Sequence, residues 1–381
     1  MTAYLDNAAS TPPLPEVIDA VGRAMREHFA NPSSLHGLGA AAARALATAR
    51  EQVALLLHAE PESIIFTGSG TEANALGLVG AARASRMRHL VVSGIEHAAV
   101  FNSARRLVDE GWQVSEVAPG KDGRVTADAV LAAVRPDTAV VSVMLVNNEI
   151  GTLQPVADIA RALRAPGRKI HLHVDAVQFA GLVPIDVRTK GADSVAISAH
   201  KLHGPKGIGA LWLRKGKSLV PLYRGGGQER DLRSGTENLP AGVGFGVAAA
   251  AALGDSGAAA RVSALRDRLE SLIFAGVGRA LAAVPTGTER APQIASILLP
   301  GLPAEPILHA LEARGVFASE GAACASHAKE QSRVLRALGV PASTGALRFS
   351  VSRLTTPDEV EHAAKALAEA VAEIEKVVGR G

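Results

Sequence analysis

One cysteine, Cys324, stands in 381 residues. That count excludes an internal disulfide framework and any metal site built from several cysteines. Aromatic residues make up only 3% of the chain, and no run of five or six basic residues is interleaved with them. With a formal net charge of +3, the sequence offers no sign of a nucleic-acid groove. Nowhere do eighteen apolar residues follow one another, and the start "MTAYLDNAASTPPLPEV" has no basic stretch leading into an apolar one. The expectation is a soluble, cytoplasmic protein.

What the chain does hold is 48% hydrophobic residues and 38 glycines, a composition suited to alanine-rich helices and tight loops. Its length implies two domains, or one large domain with a smaller appendage. Short β-branched runs alternate with helical stretches from about residue 16 to 255, the pattern of a parallel α/β sheet. Strands are expected at 63–68, 89–94, 113–118, 138–146, 170–176, 194–199 and 209–214, and helices at 37–57, 71–84, 97–110, 126–134 and 155–165. The predicted fold is thus α/β, with a seven-stranded, mostly parallel sheet. Residues 241–260 read as a connecting helix, and a smaller α+β domain follows over 256–381.

Three segments carry chemistry. In "IIFTGSGTEANALGLV", strand, glycine-rich turn and helix follow one another, a place where free N–H groups suit a phosphate. It has neither the lysine of a nucleotide-triphosphate loop nor the glycine spacing of a dinucleotide fold. "IHLHVDAVQ" puts His171, His173 and Asp175 on one face of a strand, with Gln178 three residues on. A metal reading of these histidines ranks lowest, below a pair of buried, hydrogen-bonded imidazoles. Asp175, at the carboxyl end of the strand, suits pairing with a protonated ring nitrogen. In "SVAISAHKLHGPKGIGALW", Lys201 follows an apolar strand directly. Most lysines are solvated surface charges. Desolvation and neighbouring cations, however, favour the neutral amine that a Schiff base needs. Lys206, five residues on, is the competing candidate, but its place inside the Gly-Pro turn suits a solvent-facing or substrate-mouth role. A phosphate loop, a carboxylate for a ring nitrogen and a Schiff-base lysine together describe pyridoxal phosphate.

Ordered motifs extend this reading along nearly the whole chain: "YLDNAAST" (4–11), "NPSSLHGLG" (31–39), "FTGSGTEAN" (66–74), "EHAAV" (96–100), "NNEIGTLQPV" (147–156), "HVDAVQ" (173–178), "SAHKLHGPKGIGAL" (198–211), "GGGQERDLRSGTEN" (225–238), "GAACAS" (321–326) and "LRFSVSRLTT" (347–356). By these the chain resembles the class V aminotransferase-like cysteine desulfurases, in the branch typified by NifS and IscS proteins. The resemblance implies a fold-type I pyridoxal-phosphate transferase, with residues 1–15 packing on the small domain and residues 16–255 forming the cofactor domain. It implies that Lys201 binds the cofactor, Asp175 pairs with the ring nitrogen, Gln178 and Asn148 lie near the ring hydroxyl, and His97 stacks on the ring. Gly70, Thr71, Ser198 and His200 would hold the phosphate. Family dimers lend the "RSGT" threonine across the interface, here Thr236, so a homodimer is implied. Arg353 would grip the substrate carboxylate, a task suited to its planar fork, with Asn148 also contacting the substrate.

Taken blindly, a lone cysteine is more often a small buried hydrophobe. The resemblance makes Cys324 the persulfide carrier, on a long arm. It implies release of alanine from L-cysteine, with His97 serving the proton transfers. The sulfur would pass to an acceptor protein for iron–sulfur assembly or thiolation. Rival readings are a selenocysteine lyase or small-substrate aminotransferase on the same fold, and a non-catalytic sulfur-relay protein. The chain departs from the family pattern at Ala30, Ala322 and Ser352, the last standing where glycine often precedes the carboxylate arginine.

Overall fold

A computed structural model describes residues 1–164, 169–179, 181–321 and 331–378. A short first strand, β1 (Ala3–Tyr4), is followed by the strands of the main sheet. These are β2 (Ile64–Thr67), β3 (His89–Ser93), β4 (Gln113–Val117), β5 (Thr138–Ser142), β6 (His171–Asp175), β7 (Ser194–Ser198) and β8 (Gly209–Leu213). Their order is β2-β8-β7-β6-β5-β3-β4, parallel except for β8, which runs antiparallel to both neighbours. Every residue of β2, β3, β5, β6 and β7 is buried, because helices cover both faces. That is why β2, β3, β5 and β7 read as mostly apolar runs, while β6 alternates and buries its polar face as well. Parallel strands present their carboxyl ends together, and Asp175 and Ser198 are the last residues of β6 and β7.

The sequence-based strands lie within a residue or two of the observed ones, except that β5 stops at Ser142 rather than 146. Beyond it the chain leaves regular pairing, although Val143 and Leu145 still donate to the carbonyls of His173 and Asp175. The helix expected at 71–84 begins at Gly70 and changes character at Leu76–Gly80, where the turns widen to π geometry. The reason lies beneath it. A Cβ on Gly77 would come within 2.4 Å of the His173 ring, so the glycine lets this helix lie directly on β6. Residues 241–260 are not one helix. Leu239–Gly254 ends at Asp255, whose backbone is non-helical, and Ala258–Gly276 leaves at 81°. Asp255, Ser256 and Gly257 form the break, as residues that favour caps and turns over helix interiors.

The remaining strands are β9 (Leu281–Ala282), β10 (Ile294–Pro300), β11 (Val316–Phe317), β12 (Ser319–Glu320) and β13 (Thr344–Ser350). Four of them form a sheet of order β12-β13-β10-β9, while β11 pairs in parallel with β1. Helices Ala258–Gly276, Ala304–Glu312 and Pro357–Val378 cover this sheet around a second apolar core that includes Leu269, Ile297, Leu347 and Leu367. The N-terminus is tied to it further by Asn7 Nδ2 donating to the Ser350 carbonyl at 2.8 Å and Ala8 N donating to Ser350 Oγ at 2.8 Å. Among the described residues no single helix is long and apolar enough to cross a membrane.

Candidate active site

Lys201 closes a single turn, Ala199–Lys201, that begins where the fully buried β7 stops. The chain then reverses through His203, which has φ +64°, and Gly207, with φ +82°, before β8. Its ammonium donates to the carbonyls of Ala8 and Ala9, the latter at 2.9 Å. Lys201 is half-buried on the wall of a cavity of about 510 Å³. Lys206 is exposed and lies off that wall.

Asp175 is buried at the same wall. Its two carboxylate oxygens accept from Val177 N at 2.9 Å and Asn74 Nδ2 at 2.8 Å. Burial pushes the carboxyl above the usual range, while His97, these two donors and Lys201 pull it back. His97 caps helix Ala98–Asp109, its Nδ1 accepting from Ala99 N at 3.1 Å. The proton of the neutral ring therefore sits on Nε2. His200 is drawn down to about 4 by burial and by Lys201 and Lys206, so it stays neutral at physiological pH. Gly70, Thr71, Asn148, Gln178 and Ser198 complete the set that lines this cavity.

The aminotransferase class-V family matches residues 3–362. A cysteine desulfurase of Cereibacter sphaeroides is 45% identical over 94% of this chain and 92% of its own length. The chain belongs to this family, among the cysteine desulfurases. The cysteine desulfurase NifS of Azotobacter vinelandii is 41% identical over 98% of the chain and 94% of its own length. In three dimensions a solved NifS-like protein overlays 98% of the chain and 100% of its own with a TM-score of 0.91, at 34% identity.

Members of the family use pyridoxal 5′-phosphate, and three features of the cavity fit that group. Ser198 Oγ and Gln178 Oε1 are buried on its wall with no partner among the described residues, two polar atoms in need of a ligand. Next, Gly70 leaves open the space beside Ser198 and Thr71. A Cβ there would lie 2.7 Å from Val177 Cγ2 and 3.1 Å from Ser198 Cβ. Finally, a buried carboxylate and an amine, Asp175 and Lys201, face one cavity, the two groups needed for a ring nitrogen and an aldehyde.

Two expected residues lie elsewhere. Arg353 borders a cavity of only about 10 Å³, which shares Gln178 and Lys201 with the main one. One of its nitrogens donates to the Ala251 carbonyl at 3.2 Å, while Nη2 is buried without a partner among the described residues. Ser352 beside it has no positive φ, so serine fits there without backbone strain. Thr236 is exposed and borders a separate cavity of about 130 Å³ with Gly68 and Arg233. Cys324 lies outside the described residues.

Sequence reasoning missed several polar wall residues. Asn74, Glu96, Glu149 and Arg348 all line the cavity. Glu96 is buried, with Oε1 accepting from Ser93 Oγ at 2.5 Å and Met144 N at 2.6 Å. Arg348, fully buried, donates to the Asn148 carbonyl at 2.9 Å, to Gly321 O at 3.3 Å and to Asp6 at 2.9 Å. Glu149 accepts from Ser332 Oγ. Gly321 and Ser332 are the described residues near either end of the segment that contains Cys324.

Proposed function

We propose that this protein converts L-cysteine to L-alanine and carries the sulfur as a persulfide on Cys324. The observation that carries the reading is the convergence of the Lys201 amine and the buried Asp175 carboxylate on one cavity that also holds His97, Ser198 and Gln178. Bound there, pyridoxal 5′-phosphate supplies an electron sink that makes the α-proton of the amino acid removable and the bond to sulfur cleavable. Lys201 anchors the cofactor and, once displaced by substrate, accepts the α-proton. Asp175 would serve the ring nitrogen as counter-ion, and its burial would keep water from competing for that contact. His97, fixed by its cap bond, lines the cavity and carries its proton on Nε2. It exchanges this with the substrate thiol and with Cys324.

Cys324 acts as thiolate on the substrate sulfur. One S–S bond forms as the C–S bond breaks, and the electron pair from C–S stays with the carbon that becomes the alanine methyl. The sum is L-cysteine plus a thiol giving L-alanine plus a persulfide. Arg353 is proposed to receive the substrate carboxylate, a role supported by its Nη2, which has no partner among the described residues and lies next to the cavity that Lys201 and Gln178 share.

The protein is further proposed to act as a cytoplasmic homodimer, Thr236 reaching the partner's cofactor. Ile18, Met25, Phe29, Leu35 and Leu38 are exposed within one short stretch, which supports a covered apolar face. Residues 1–15, 16–255 and 256–381 are proposed as N-terminal segment, cofactor domain and small domain. An apolar core drawn almost wholly from residues 256–381, joined by Ala3 and Leu5, supports that division. The persulfide would pass to an acceptor protein in iron–sulfur assembly or thiolation. Incubation with L-cysteine and dithiothreitol, measuring alanine and sulfide, tests the activity. Wild type should release both, whereas Lys201→Ala and Cys324→Ala should release neither. Alanine formed no faster than by free cofactor would overturn the reading.

A further inference from the structure

Asp175 is one end of a hydrogen-bonded chain that runs away from the cavity into the sheet. Asn74 Nδ2 donates to Asp175 Oδ2 at 2.8 Å, and Asn74 Oδ1 faces His173 Nε2 at 3.0 Å. His173 Nδ1 faces Ser194 Oγ at 2.9 Å, and the same hydroxyl faces His171 Nε2 at 2.8 Å. All five residues are buried.

The Asn74 amide settles every direction: its Nδ2 donates to Asp175 Oδ2, so its oxygen is the acceptor that faces His173. His173 must then donate from Nε2, which leaves Nδ1 as an acceptor. Ser194 gives its one proton to Nδ1, and so it accepts from His171 Nε2–H. Each donor thus points toward Asp175. Burial holds His173 at about 3 and His171 at about 4, so both rings are neutral and the one-way order persists across physiological pH.

We propose that Asn74, His173, Ser194 and His171 are positioning residues, a one-way donor relay that keeps Asp175 ionised and aimed at the ring nitrogen of the cofactor. The inference rests on the pairing of Asp175 with that nitrogen. Its physical basis is that hydrogen bonds aligned head to tail polarise one another, most strongly where water is excluded. Gly77, which brings the covering helix onto the His173 ring, is the packing feature that closes the relay to water. The titratable groups acting on Asp175 are His97, Lys201 and Glu96. Those acting on His171, at the far end, are Asp193, Lys217 and Arg214.

Buried histidines that merely satisfied each other would affect folding alone. The relay also reaches the cofactor. A weaker donor chain leaves Asp175 more basic and the ring nitrogen less positive. The ring then withdraws less charge from its linkage to Lys201, whose proton is held more tightly. In the holoenzyme, the pH midpoint of the cofactor's visible absorption should therefore rise, by about half a pH unit, in both Ser194→Ala and His171→Leu. His171→Gln keeps an N–H at the far end and should retain the wild-type midpoint. Should Ser194→Ala fail to fold, His171→Leu cuts the same link from its other side. The relay is overturned if both variants titrate as wild type does while Asp175→Asn moves the midpoint upward. If Asp175→Asn itself leaves the midpoint in place, the ring-nitrogen pairing fails and the relay falls with it.

Discussion

Gly70 lies where the helix that follows β2 meets the end of β7, and its missing side chain sets the width of the cavity there. In Gly70→Ala the new Cβ would fall 2.7 Å from Val177 Cγ2 and 3.1 Å from Ser198 Cβ. Carbon atoms prefer about 3.5–4.0 Å, so a neighbour must yield by close to an ångström. Val177 is not free to yield, since its N–H is the one that Asp175 Oδ1 accepts. Moving it loosens the carboxylate. Moving the helix start instead carries the Gly70 and Thr71 N–H groups away from Ser198. Overpacking of this kind costs about 1–3 kcal/mol. Borne by the cofactor-bound state, that range raises the dissociation constant for pyridoxal 5′-phosphate roughly 5- to 150-fold. Titration of the apoenzyme with the cofactor measures it, and thermal denaturation of the apoenzyme measures the share borne by folding. Val177→Ala removes the closer contact, so the double variant should recover at least half of the combined loss. Unchanged affinity and stability in Gly70→Ala, or no recovery in the double variant, would refute the reasoning.

Glu96→Gln tests the other buried carboxyl. Burial pushes Glu96 up to about 8, with Asp175 adding to the rise and the bonds from Ser93 and Met144 opposing it. It is therefore protonated when folded but ionised when unfolded. Its contribution to stability is complete below the ordinary glutamate range and is lost as pH rises from there to about 8. Relative to Glu96→Gln, wild type should lose up to about 1.4 kcal/mol per pH unit across that window, and parallel stability curves would contradict it. Glu229→Ala removes a bidentate pair with Arg50, at 2.6 and 2.7 Å, and the acceptor for Phe66 N at 2.9 Å. Those bonds hold Glu229, Arg230 and Asp231 at φ of 46°, 58° and 60°. A loss of about 3 kcal/mol in chemical denaturation is expected, and one under about 0.5 kcal/mol would contradict it. Lys206→Ala, by contrast, should leave alanine production within about twofold of wild type, since it alters an exposed side chain off the cavity wall. A loss as deep as that of Lys201→Ala would reverse the assignment of the two lysines.

Much of the architecture was legible because its causes are local. A run such as "SVAIS" between turns can only be a strand covered on both faces, and an amine set immediately after it needs a use or a partner. Gly70, Asp175 and Ser198 were legible for the same reason, lying at strand ends where an α/β sheet presents ligands. What stayed hidden depends on distant partners. Arg348 sits in "LRFS" and reads as an odd charge in a strand, because its acceptors at Asp6 and Asn148 are 342 and 200 residues away. Glu96 owes its burial to Met144 N, 48 residues on. Asn74 reads as an ordinary helical residue until β6 is placed beneath it. The π-shaped stretch at Leu76–Gly80 has a cue in Gly77, but the meaning of that glycine lies in the imidazole under it.

The start of the chain shows how closely the two cores are joined through the cavity. Residues 3–8 bond to β11 and β13 of the smaller core, by β1 pairing with β11 and by Asn7 and Ala8 bonding to Ser350. Yet the Ala8 carbonyl accepts from both Lys201 Nζ and Gln178 Nε2, and Ala9 accepts from Lys201 as well. Asp6 holds Arg348, the same guanidinium that reaches the Asn148 and Gly321 carbonyls. The acceptors of Lys201 thus come from a segment whose position the smaller core decides. A shift between the cores cannot leave Lys201, Gln178 and Asn148 in place, because one short segment and one buried arginine connect all three. The lysine is positioned from both sides, by the end of β7 through covalent geometry and by the smaller core through two carbonyls.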